Sequence, residues 1–262
     1  MIIILYQSLG DALIFLQNAE KTEKKYTYYS HISNKKLIDF YFPKIKLIYF
    51  GEEKYDSPFA IYNLKKSSLG KIYSDLISFI NILISIKLRY GFFIPIHSLR
   101  NDRLMWCFSI KKFQINYLKL SEDMSLYDYF SNHIDSKDKL TFIACSNDII
   151  NCKNISIFPD SRVESKKISE KKIILLRNYF YKGNIKINRY GEQYKNFDEL
   201  NNLILEADLT ISADSLPAHI AIMMKKKLII FNPNKKFYPR EFYLKNMIYQ
   251  DLIFEGEFNK NE

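Results

Sequence analysis

Residues 207–233 read ADLTIS, then ADSLPAHIAIMM, then KKKLIIFNP. Two short apolar runs enclose a turn and a helical interval, and no other feature narrows the choice of fold so much. A β-branched strand, a helix and a second apolar strand in close succession form an α/β unit. The same alternation begins at the N-terminus, where IIILY is followed by the loop QSLG and the helical DALIFLQNAEK. Further strand patterns are YTYYS, IKLIYF, GFFIPI, LMWCFSI, LTFIACS, ISIFP and IKINRY. Helical periodicity occupies 72–88, 124–134, 169–182, 197–206 and 215–224. Strands that are apolar throughout belong in mostly parallel sheets covered on both faces.

With 262 residues the chain has room for one large domain or two modest ones. The polar stretch SNDIINCKN at 146–154 separates two strand–helix series. The expected organisation is therefore two doubly wound, Rossmann-like domains, 1–150 and 151–262, the second one short. In such folds ligands bind at the carboxyl ends of strands, where loops lead into helix N-termini.

The net charge of +10 is spread over lysine pairs such as Lys24-Lys25, Lys166-Lys167 and Lys235-Lys236, with no basic arm. No zinc-finger, RNA-recognition or GxxG pattern accompanies them, so nucleic acid is not an expected partner. Cys107, Cys145 and Cys152 are odd in number and lack CxxC spacing, which argues against a metal site or disulfide framework. MIIILY is too short for a signal peptide. Only 11 residues separate Asp75 from Lys87 in the apolar segment 72–88, well short of the ~20 a membrane span needs. Its polar stripe of Ser74, Ser78, Asn81 and Ser85 marks an amphipathic helix.

Chemistry concentrates where these strands end. After ADLTIS come Asp214, Ser215, Leu216 and Pro217, then His219, one of four histidines. Asp214 or Ser215 can cap the helix, with Pro217 in its first turn. The free N–H groups and positive dipole end there suit a phosphate. A hydrolase triad is excluded, because Asp214 and Ser215 are adjacent and no GxSxG elbow is present.

This stretch resembles the nucleotide-sugar signature of the heptosyltransferases (glycosyltransferase family 9), which runs Asp-Thr-Gly-x-x-His. Three more segments resemble the family in the same order. They are YQSLGDALIFLQ at the N-terminus, ISIFPDSRVESKKIS at 155–169 and NFDELNNLILEADL at 196–209. The resemblance implies a GT-B architecture, two Rossmann-like domains facing across a cleft. It implies inverting, metal-independent transfer from a nucleotide-sugar donor, ADP-heptose or similar, with no cofactor. The acceptor is a saccharide or lipid-linked saccharide of lipopolysaccharide or surface polysaccharide. On this reading Asp11 is the catalytic base, with Ser8 and Gly10 on the acceptor side. Lys166, Glu192, Asp214, Ser215 and His219 hold the donor. The expected location is the cytoplasm, with peripheral contact at an anionic inner membrane.

Three positions depart from the family pattern. Leu216 stands where glycine allows close backbone approach, Asp160 replaces a phosphate-facing glycine, and Asn232 follows Phe231 where glycine is expected. These departures support an alternative, a non-catalytic binding or scaffold protein with the same fold. His31, His97 and His133 receive no assignment.

Overall fold

The structure, a computed structural model, describes residues 2–5, 9–20, 27–50, 92–93, 124–128, 149, 151–161, 163–235 and 237–255. The amphipathic segment 72–88 and the strand patterns LMWCFSI and LTFIACS lie outside these residues. Within 124–134, residues 126–128 are helical. No helix among the described residues is long and apolar enough to cross a membrane.

The first half holds β1 (Ile2–Leu5), α1 (Leu9–Ala19), β2 (Thr27–His31), α2 (Lys35–Tyr41), β3 (Leu47–Phe50) and β4 (Phe92–Phe93). The second holds β5 (Asn154–Phe158), α3 (Glu170–Tyr179), β6 (Asn184–Ile187), α4 (Phe197–Leu205), β7 (Leu209–Ala213), α5 (Leu216–Met223), β8 (Leu228–Phe231) and α6 (Arg240–Glu255). Among the described residues the strands form two four-stranded sheets, ordered β3-β2-β1-β4 and β6-β5-β7-β8. Every strand pairing in both is parallel.

Each order contains a reversal. From β1 the first sheet grows through β2 to β3, and β4 then adds on the other side of β1. From β5 the second sheet adds β6, and β7 then returns to the opposite edge of β5. Loops leaving neighbouring strands at such a switch point turn to opposite faces and open a crevice at the carboxyl ends. Helix α1, which follows β1, carries Gly10 and Asp11 in its first turn, and the loops after β5 and β7 carry Asp160, Lys166 and Asp214. Topology thus places these five residues towards the carboxyl ends of strands.

Burial explains why the second sheet forms. Ile155, Ile157, Leu209, Ile211, Ala213, Ile229 and Phe231 pack with Ile173 and Leu176 of α3 and with Tyr249 and Ile253 of α6. Phe158, Leu228 and Ile230 face the other way, into a cluster with Leu200 and Ile204 of α4 and Ile220 of α5. That cluster also contains Leu13, Phe15 and Leu16 of α1, so one core joins the two sheets' helices. Each such side chain contributes about 1.5–3 kcal/mol by leaving water.

Local signals set several helix starts. Ser169 Oγ accepts from Lys172 N at 3.4 Å, and Asn196 Oδ1 accepts from Glu199 N at 2.8 Å. Two expectations move. The strand expected at 207–212 is Leu209–Ala213, because the Asp208 carboxylate stays outside it and accepts from Lys153 N and Asn154 N. Helix α1 starts at Leu9, so Leu9 and Gly10 of the expected loop QSLG are helical and Asp11 lies inside the first turn.

Helix α6 also closes an exposed sheet edge. Its Asn246 Oδ1 accepts from Ile230 N at 2.7 Å, while Asn246 Nδ2 donates to Ile230 O at 2.5 Å. Gln250 Nε2 donates to the same carbonyl at 2.8 Å. A side-chain amide here stands in for a neighbouring strand on the side of β8 that pairs with no other strand among the described residues. Asn246→Leu keeps the branched heavy-atom shape and strands the buried Ile230 N–H, so we expect a loss of about 2–3 kcal/mol. Urea unfolding of the variant checks this, and an unchanged midpoint would remove the edge-pairing role.

Candidate functional site

Three loops meet at the carboxyl edge of the second sheet, and a single carboxylate ties them together. Asp214, just past β7, is buried, with its side chain 1% exposed. Its Oδ2 accepts from Lys166 Nζ at 2.6 Å and from Asn234 N at 3.2 Å. Its Oδ1 accepts from the Tyr238 hydroxyl at 2.5 Å. Lys166 comes from the loop after β5, and Asn234 and Tyr238 come from the segment after β8. Asn232 Nδ2 adds a bond to Ser165 O at 3.3 Å, linking the outer two loops directly. Asn232 does this at φ 49, a left-handed conformation that asparagine tolerates better than most residues.

Lys166 is the accessible member of this group. Its side chain is 26% exposed, and the ammonium lies 5.3 Å above the Phe237 ring. It therefore presents a cation at the rim, braced by a carboxylate on one side and an aromatic face on the other. Beside it begins α5, with Ser215 at the N-cap position and Pro217 in the first turn. Neither Asp214 nor Ser215 caps the helix through its side chain. Ser215 Oγ is buried and has no hydrogen-bond partner among the described residues. A helix N-terminus preceded by a lysine-bound carboxylate, with that lysine part-exposed, is a setting suited to a phosphate oxygen.

His219 is 4% exposed and faces the first sheet's helices. Its Nδ1 shares a 2.9 Å hydrogen bond with the Tyr127 hydroxyl, and its ring stacks on Tyr238 with centroids 5.9 Å apart. A Cβ on Gly10 would lie 3.0 Å from the imidazole Cδ2 and 3.2 Å from Nε2. Only a glycine lets the start of α1 come this close. The imidazole is thus the wedge on which the Gly10–Asp11 segment rests. Gly10 is brought against the second half, while the Asp11 side chain and the whole of Ser8 lie outside what the structure describes.

The departures from the family pattern are accommodated. Leu216 is 3% exposed and packs in the core with α1, so its side chain points away from the loop's open side. Asp160 accepts from Arg189 Nη1 at 2.9 Å, and the other guanidinium nitrogen bonds Glu170. Burial pushes the Asp160 carboxyl up from its ordinary range, and the Arg189 charge pulls it back. Glu192 sits in an exposed turn after β6, next to Gly191 at φ 88. The structure does not bring it into the Asp214 group; its carboxylate bonds Gln193 at 3.5 Å.

Sequence reasoning missed Tyr127, Tyr238, Phe237, Asn234 and Arg189. Twenty tyrosines and twenty phenylalanines hide any single aromatic. The usable signal for 232–239 was its position just after the last strand of the same sheet.

No protein-family model matches the sequence, and no curated protein does either. Solved structures do match. A glycosyl transferase of family 9 from Veillonella parvula DSM 2008 superposes with a TM-score of 0.53 at 12% identity, over 95% of this chain and 90% of the other. The E. coli heptosyltransferase WaaC with ADP gives 0.51 at 10% identity, over 91% and 90%. This chain has the two-sheet, GT-B type fold of those glycosyltransferases.

Burial lowers the His219 pKa to about 4, with Asp214 opposing that shift and Lys166 adding to it. The unfolded chain binds the imidazole proton near pH 6.5. The stability tied to neutral His219 is therefore complete above pH 6.5 and is lost as pH falls towards 4, by up to about 3 kcal/mol. Urea midpoints at pH 7.5 and 5 should differ less in His219→Gln than in the native chain. Equal differences would show that this imidazole is not the group responsible.

Proposed function

We propose that the protein is a heptosyltransferase-like glycosyltransferase. It would move a sugar from a nucleotide diphosphate donor to a hydroxyl of a saccharide or lipid-linked saccharide, with inversion and without a metal. The observation that carries this reading is the part-exposed Lys166 ammonium, held by Asp214 just ahead of the N-terminus of α5, the helix whose His219 packs against Gly10. The E. coli structure, which contains ADP, supports an adenosine-diphosphate-linked donor.

In this reading Asp11 accepts the proton of the acceptor hydroxyl as that oxygen attacks the anomeric carbon. The bond to the diphosphate breaks, and negative charge grows on the leaving oxygen. Lys166, Ser215 and the first amides of α5 stabilise that charge. Asp214 orients Lys166, and His219 holds the start of α1 at the right height. Ser8 and Gly10 shape the acceptor side, and Glu192 reaches the nucleoside from its turn. We also infer a division of the chain near residue 150. The accommodated Leu216 and the Arg189-paired Asp160 weaken the case for a scaffold without activity.

Calorimetry with ADP, UDP, GDP and CDP tests the donor. We expect ADP to bind best and Lys166→Ala to weaken it by about ten-fold or more, as for a lost charge-assisted bond. Asp214 keeps two donors in that variant, and a denaturation curve checks that it is folded. Asp11→Asn should bind ADP normally and transfer no sugar. Binding that Lys166→Ala leaves unchanged would sink the site, whichever nucleotide is used.

A further inference from the structure

The opposite end of the second sheet carries a different chemistry. Strands β5, β7 and β8 start at Asn154, Leu209 and Leu228, and the residues just before them are Lys153, Asp208 and Lys227. These residues, with Cys152, Lys225 and Lys226, line an open recess of about 610 Å³. The Asp214 group lies at the other ends of the same strands, and a five-residue strand spans about 17 Å.

The charges in this recess are unbalanced. Lys226 Nζ is taken up by Leu205 O at 2.8 Å. Asp208 is the acid of the lining, and its Oδ2 already accepts from the amides of Lys153 and Asn154 at 3.1 and 2.8 Å. Nearby Glu206 pairs with Lys186. Lys153, Lys225 and Lys227 have no carboxylate partner among the described residues. Lys225 also occupies a left-handed turn position, φ 54, that glycine would take with less strain. Three ammonium groups around a concave surface raise the local positive potential, because the protein wall focuses the field.

We propose that this recess is an anion site for a phosphate-bearing group, held by Lys153, Lys225 and Lys227. An acidic lipid headgroup and a soluble phosphate share that chemistry, and the test separates them. The full chain is compared with the triple variant K153Q/K225Q/K227Q and with K171Q/K195Q/K245Q, which removes three exposed lysines elsewhere. One arm measures co-sedimentation with phosphatidylglycerol–phosphatidylcholine vesicles against phosphatidylcholine alone. The other titrates sodium pyrophosphate by calorimetry in a Lys166→Ala background, which silences the opposite edge.

We expect the recess variant to bind about ten-fold more weakly than the matched control, and arginine at the same three positions to restore binding. A loss confined to vesicles identifies a headgroup, and one confined to pyrophosphate identifies a soluble phosphate. No binding by the native chain in either arm, or equal losses in the two lysine variants, overturns the site. Far-UV circular dichroism of each variant confirms that it is folded.

Discussion

Burying a carboxylate is costly unless donors surround it, and Asp214 meets that condition by drawing three loops to one point. The lysine comes from the loop after β5, and the amide and the phenol come from the segment after β8. Removing any one leaves the acid under-satisfied, so the loops are not free to drift independently. The Tyr238 ring that reaches Asp214 also stacks on His219, and His219 in turn bonds Tyr127 and receives Gly10. A chain of contacts therefore runs from the edge of the second sheet to the first helix of the chain. This geometry connects the candidate donor edge with the candidate base.

The same arrangement sets the character of the lysine. Lys166 is restrained without being enclosed: Asp214 fixes its direction and the Phe237 ring lies under its ammonium. A fixed cation loses little freedom when an anion arrives, which favours preorganised binding. The balance has a counterpart in Asp160, whose charge would oppose a diphosphate if Arg189 did not answer it. The Asp160 substitution, which looks damaging in one dimension, is thus answered by a partner 29 residues away in sequence.

The two ends of the second sheet divide their tasks. At the carboxyl end, acid, lysine and aromatic rings close on one another. At the amino end, Asp208 accepts from backbone amides, and Lys153, Lys225 and Lys227 have no carboxylate partner among the described residues. The sheet can hold such unlike edges because its middle is dry and covered on both faces. Asn246 and Gln250 complete it by satisfying Ile230 where no further strand lies among the described residues.

Much of this was legible in one dimension, for local reasons. Apolar runs, turn residues and helical spacing are short-range signals. They located β5 to β8 and α3 to α5 within a few residues, and they placed Asp214, Ser215 and Lys166 on strand-end loops. Helix α6 escaped because it is apolar on two sides. Phe242, Tyr249 and Ile253 are buried, while Leu244, Ile248 and Leu252 remain exposed, and this blurs the period. The sequence by itself determined the succession of strands and helices and the residue types available at each loop. Only the tertiary structure decided that Leu216 points into the core, that Arg189 answers Asp160, and that Tyr127, Tyr238 and Gly10 enclose His219. Those pairings join positions up to about two hundred residues apart, and no local preference of the chain records which distant partner will satisfy a buried charge.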